Sequence, residues 1–104
     1  MGVPQENFSP YVMAKSGLYG LTKSMAKEYG IHGIRFNMIS PGLTNTDVLS
    51  GIPKRTIDYT AFQTPLKRIA DPSDVAKVAL FLVSDLSEYL SGVNIPVCGG
   101  NDML

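Results

Sequence analysis

Apolar and polar residues alternate with two different periods along this chain, and the switches between the periods mark its elements. From about Tyr11 to Tyr29, Val12, Met13, Leu18, Leu21, Met25 and Ala26 recur mostly three or four residues apart, which predicts an amphipathic helix. Ala14, Gly17 and Gly20 add small residues that would allow another helix to approach closely. Pro10 suits the first turn of that helix and Gly30 its end. The run Ile34 to Ile39 then alternates apolar with polar or mixed residues, as a short strand does, and stops at Ser40-Pro41-Gly42.

From Leu43 to Ala70 no period is sustained, so this stretch reads as loop with short helical pieces, either a binding loop or a plain connection. Asp71-Pro72-Ser73-Asp74 is a helix start, with Asp71 as the N-cap, Pro72 in the first helical position and Asp74 at the positive end of the dipole. That helix is expected to reach about Ser84, burying Val75, Val78, Ala79, Leu82 and Val83, and Val93 to Val97 reads as a second strand ended by Gly99-Gly100. A strand, helix, strand order predicts a parallel crossover. Two strands are too few for a covered parallel sheet, so the fold class expected is α/β, the C-terminal portion of a doubly wound parallel-sheet (Rossmann-like) domain.

Composition narrows the function classes. The chain has 104 residues, long enough for one small core but not for two domains. Nine basic residues balance nine acidic ones without any like-charged block, so neither nucleic acid nor a membrane surface is an expected partner. The longest apolar run, Val78 to Val83, is too short to span a bilayer. A single cysteine, Cys98, and a start at Met1-Gly2-Val3-Pro4 unlike a signal peptide make the cytoplasm the expected compartment.

Few residues carry candidate chemistry by themselves. Tyr11 and Lys15 lie one helical turn apart, where an ammonium can favour the ionised form of a phenol, but Tyr19 and Lys23 share that spacing and the pattern alone does not choose between them. Ser9 suits a helix cap. His32 stands alone among glycines, with no cluster at ligand spacing, so no metal site is expected. Pro41-Gly42 lies at the carboxyl end of a strand, where open α/β sheets bind ligands, although a plain turn has the same sequence. Gly99-Gly100 lacks the spacing and following helix of a phosphate-binding turn.

Taken in order, Tyr11-Val12-Met13-Ala14-Lys15-Ser16-Gly17, Leu21 to Gly30 and Gly33 to Gly42 closely resemble the C-terminal half of short-chain dehydrogenases/reductases of the 3-oxoacyl-carrier-protein reductase type. Thr46 stands at the family's threonine after its Pro-Gly turn, Pro65-Leu66-Lys67-Arg68 resembles its PLxR segment, Pro72 to Ser84 its following helix, and Ser91-Gly92 to Gly99-Gly100 its last strand. Coverage runs from about Ser9 to Gly100.

The resemblance implies that Tyr11 exchanges a proton with the substrate oxygen and that Lys15 assists it and binds the nicotinamide ribose. It implies that Pro41, Gly42 and Leu43 lie against the nicotinamide of NAD or NADP, and that Thr46 closes over the cofactor. Tyr19 and Lys23 have no role in the family, and Ser9 is too close to Tyr11 to replace its catalytic serine. Cys98 stands where the family usually has Asp. The substrate class implied is a carbonyl/alcohol pair, and the helix Tyr11 to Tyr29 would pack against its copy in a homo-oligomer. Residues 1–104 are thus expected to form a partial short-chain dehydrogenase/reductase domain without its N-terminal cofactor-binding half, inactive alone. The alternatives are a catalytically silent assembly module derived from that fold and a truncation without function.

Overall fold

The computed structural model, which describes residues 9–101, has three helices and two strands in the order helix, strand, two helices, strand. The polar stretch before Ser9 and the tail beyond Asn101 lie outside the described residues. Helix α1 runs Ser9–Tyr29, two residues earlier than its apolar period announced, with Pro10 inside its first turn. Gly30 does not end the helical path. A 3-10 turn, Gly30–His32, continues it, and the stop falls at Gly33, whose φ of 73° only glycine adopts freely and whose N–H donates to the Gly30 carbonyl at 3.0 Å.

Strand β1 is Met38–Pro41, later than the expected Ile34 to Ile39. Before Met38 the chain is held by other bonds: the Phe36 N–H donates to Ser91 Oγ at 3.1 Å, the Phe36 carbonyl accepts from the Gly92 N–H at 2.6 Å, and Asn37 Nδ2 donates to the Leu90 carbonyl at 3.1 Å. Regular pairing starts with Met38. Strand β2, Asn94–Val97, then lies parallel to β1 with Met38 opposite Asn94 and Pro41 opposite Val97, the parallel pair that the element order predicted. Pro96 has no N–H to give, which suits a strand whose second edge carries no partner among the described residues.

Between the strands, part of the stretch expected to be loop is a regular helix. Helix α2, Lys54–Gln63, follows Pro53, whose carbonyl accepts from Thr56 at 3.0 Å. Helix α3, Pro72–Val83, starts as its sequence requires: the Asp74 carboxylate reaches back to accept from the Asp71 N–H at 2.7 Å, as in a capping box. Its C-terminal end is closed by a residue from before β1. The Arg35 guanidinium donates to the carbonyls of Leu82 at 2.9 Å and Ser87 at 2.8 Å and to Ser87 Oγ at 3.0 Å, and Ser87 is only 1% exposed. A cation placed there satisfies carbonyls that the helix leaves open and opposes the dipole. Met38 and Leu49 are the buried hydrophobic residues among those described, whereas Leu80, Val83, Leu86 and Tyr89 stand exposed.

Candidate active site

Two groups of residues come from opposite ends of the first half of the chain. Tyr11 and Lys15 share one face of α1, with Lys15 Nζ 6.0 Å from the centre of the Tyr11 ring. Tyr11 is 58% exposed and Lys15 half-buried. The second group follows β1. Gly42 donates its N–H to the Val97 carbonyl at 2.9 Å, Ala70 donates to the Leu43 carbonyl at 2.9 Å, and Asn45 donates to the Ala70 carbonyl at 2.7 Å. These bonds fix the Pro41 to Thr46 backbone to β2 on one side and to the lead-in of α3 on the other. Thr46 precedes a 3-10 turn, Asp47–Gly51, and accepts the Leu49 N–H with its carbonyl at 2.9 Å, while its exposed side chain takes no part in that cap.

Gly42 sits where a side chain has little room. A Cβ there would stand 3.2 Å from the Cβ of Cys98 and 3.3 Å from its Cα, so the absence of a side chain at residue 42 lets the two strand ends close together. Gly42 and Leu43 also line a cavity of about 310 Å³ with Thr60, Thr64, Leu66 and Cys98. Tyr11, Lys15, Pro41 and Thr46 lie outside that lining. Among the described residues no backbone bond takes the half-buried Leu43 N–H, which leaves a donor at the carboxyl edge of the sheet. A carboxamide oxygen fits such a donor.

At the cavity's rim Arg68 grips Asp74 through both nitrogens, at 2.7 and 3.1 Å. The guanidinium, with the Asp71 N–H behind it, holds the Asp74 carboxyl at about 2, below its ordinary 3.8, and the same contact raises Arg68. Arg68 lies in the aperiodic Leu43 to Ala70 stretch and Asp74 in the start of α3, and their joint position at the cavity shows only in three dimensions. The Tyr19 and Lys23 pair is also explained: Lys23 Nζ lies 5.0 Å from the Tyr19 ring centre and donates to the Gly92 carbonyl at 3.2 Å.

The chain's backbone superposes on 3-oxoacyl-[acyl-carrier protein] reductase from Brucella melitensis with a TM-score of 0.85 and 35% identity, over 90% of this chain and 35% of that one. A family model described as enoyl-(acyl carrier protein) reductase matches residues 1–102. The chain belongs to the short-chain dehydrogenase/reductase family. Among curated proteins in this oxidoreductase family, human (3R)-3-hydroxyacyl-CoA dehydrogenase is 39% identical over 90 residues, 86% of this chain and 34% of the relative. The 3alpha-hydroxysteroid dehydrogenase of Mediterraneibacter gnavus is 39% identical over 89 residues, 86% of this chain and 36% of the relative. The chain spans about a third of the length of the curated relatives it matches. The expected fold class, an α/β portion of a doubly wound domain, agrees with the parallel sheet and this structural neighbour. No helix among the described residues is long and apolar enough to cross a membrane.

Proposed function

We propose that this short-chain dehydrogenase/reductase segment supplies the proton-transfer pair and the nicotinamide-facing loop of an NAD- or NADP-dependent oxidoreductase acting on a carbonyl/alcohol pair. The observation that carries the reading is the pinned loop at the carboxyl end of β1, where Leu43 keeps its N–H for an acceptor and Gly42 packs its backbone against Cys98. Leu43 would bind the carboxamide, Pro41 and Gly42 would lie against the ring, and Thr46 would close from the side. The bound nicotinamide supplies or accepts the hydride. Tyr11 donates its phenolic proton to the substrate oxygen during reduction and takes it back during oxidation, contributing about 10² to 10⁴ in rate as a positioned acid/base does. Lys15, half-buried one turn away, stabilises the phenolate left behind and holds the ribose hydroxyls.

Residues 1–104 act in this reading as the C-terminal part of one domain in the cytoplasm, with α1 packing against its copy in an oligomer. The cofactor's phosphates would need residues beyond a Gly-poor loop such as this, because among the described residues no Gly-rich turn leads from a strand into a helix. Reduced cofactor deuterated at the nicotinamide C4 tests the reading in a complete, active protein that contains this segment. Deuterium should appear on the carbinol carbon of the alcohol formed from a 3-oxoacyl thioester or a ketosteroid. Absence of deuterium transfer to every carbonyl compound of such a panel would refute it.

A further inference from the structure

Lys23 repeats the spacing of a catalytic pair yet points its charge at backbone. Its ammonium donates to the Gly92 carbonyl across 69 residues of sequence, joining α1 to the turn that leads into β2. The same turn is pressed against the helix: Gly92 is buried, its φ is +77°, and a Cβ on it would stand 3.3 Å from the Cβ of Ala26 and 3.8 Å from the Lys23 Cα. Near that point the Tyr29 ring meets Phe36, ahead of β1, with centroids 5.6 Å apart. The C-terminal half of α1 is therefore fastened where both strands begin.

The opposite half of α1 carries Tyr11 and Lys15, where Val12 and Lys15 are half-buried. Twelve residues of helix separate Lys23 from Tyr11, about 18 Å at 1.5 Å per residue. Five residues of near-extended chain separate Gly92 from Val97, about 16 Å at 3.3 Å per residue. Because α1 is continuous from Ser9 to Tyr29, the Lys23 anchor ties the position of Tyr11 along the helix to the turn that leads into β2.

We infer that Lys23 is a positioning residue for the reaction, which sets the height of the Tyr11 and Lys15 pair relative to the Pro41 to Leu43 loop through its bond to Gly92. This rests on the acid/base role given to Tyr11 above. A helix slipped by one residue would carry the phenol about 1.5 Å along its axis, enough to misplace a proton donor.

The test uses the complete active protein containing this segment, with Lys23→Met, Lys23→Arg, Gly92→Ala and Tyr11→Phe compared by steady-state kinetics and circular dichroism. Lys23→Met should lower kcat at least tenfold and raise KM for the nicotinamide cofactor, because Tyr11 and Lys15 move together. Lys23→Arg, which can still donate to the carbonyl, should restore both values to within about threefold. Gly92→Ala, which pushes on Ala26 from the other side, should reproduce the Lys23→Met pattern and serves where Lys23→Met does not fold. Simple loss of stability would lower the active fraction without changing KM. Unchanged kcat and KM in Lys23→Met, or failure of Lys23→Arg to rescue, overturns the inference while leaving the Tyr11 assignment standing. Full turnover by Tyr11→Phe overturns the assignment on which it rests.

Discussion

Gly99 and Thr64 meet so closely that a Cβ on Gly99 would stand 2.8 Å from the Thr64 Cγ2. Thr64 is 4% exposed, just beyond the last turn of α2, and its hydroxyl donates to the Thr60 carbonyl at 2.7 Å, so it cannot swing aside without breaking that bond. Next to it, the Leu66 N–H donates to the Gly99 carbonyl at 3.1 Å. The turn after β2 thus seats the segment that joins α2 to α3 and shapes one wall of the cavity.

Gly99→Ala should consequently be costly in two ways, since residue 99 has a φ of +59° and its new methyl would strike Thr64. The expected loss is about 2 kcal/mol, of the size that left-handed backbone and overpacking each impose. Chemical denaturation of a complete protein containing the segment reads it, and Thr64→Ser should recover part of the loss by removing the struck methyl. An unchanged midpoint for Gly99→Ala would contradict the contact.

The Arg68 and Asp74 pair gives a pH signature. Asp74 is held at about 2 against an ordinary 3.8, chiefly by its hydrogen bond to Arg68, so it binds its proton less readily when folded. Its contribution to stability is present above about pH 4 and lost as pH falls towards 2. The difference in unfolding midpoint between the wild type and Asp74→Asn should therefore be constant above pH 4 and shrink between pH 4 and 2. With Arg68 about half exposed, added salt should reduce it throughout.

Much of the architecture is legible in the sequence where local rules decide it. Asp71-Pro72 and Asp74 announce α3 because a cap, a proline and an acidic first turn act within a few residues. Helix α2 is obscured because its inward positions, Ile57, Thr60 and Ala61, followed by the buried C-cap Thr64, include two threonines, and an apolar count passes over them. The start of β1 is displaced because alternation in Ile34 to Asn37 fits a strand, whereas the ladder begins only where a partner exists, at Met38. The Lys23 bond to Gly92 and the Gly99 contact with Thr64 join residues far apart in sequence, so no local period could reveal them.

The 104 residues alone should neither bind reduced nicotinamide cofactor nor remain monomeric. They hold no Gly-rich phosphate turn, and they expose Leu80, Val83, Leu86 and Tyr89 beside a two-stranded sheet with bare outer edges among the described residues. Nicotinamide fluorescence should stay flat on titration, and light scattering should report dimers or larger species at tens of micromolar, a concentration at which exposed edges associate. Micromolar cofactor binding by a compact monomer would contradict both expectations.

Tyr19 lies eight residues beyond Tyr11, about 12 Å further along α1, so the two phenols cannot serve one reacting carbonyl. The decisive measurement is turnover of Tyr11→Phe against Tyr19→Phe in a complete, active protein containing this segment, both checked for folding by circular dichroism. Tyr11→Phe keeps the ring and loses the proton, so turnover should fall at least about a hundredfold with cofactor binding largely kept. Tyr19→Phe should retain turnover within about threefold, because Tyr19 only lies beside the Lys23 ammonium. Equal losses in the two variants, or full turnover by Tyr11→Phe, would contradict the assignment of Tyr11 as the acid/base.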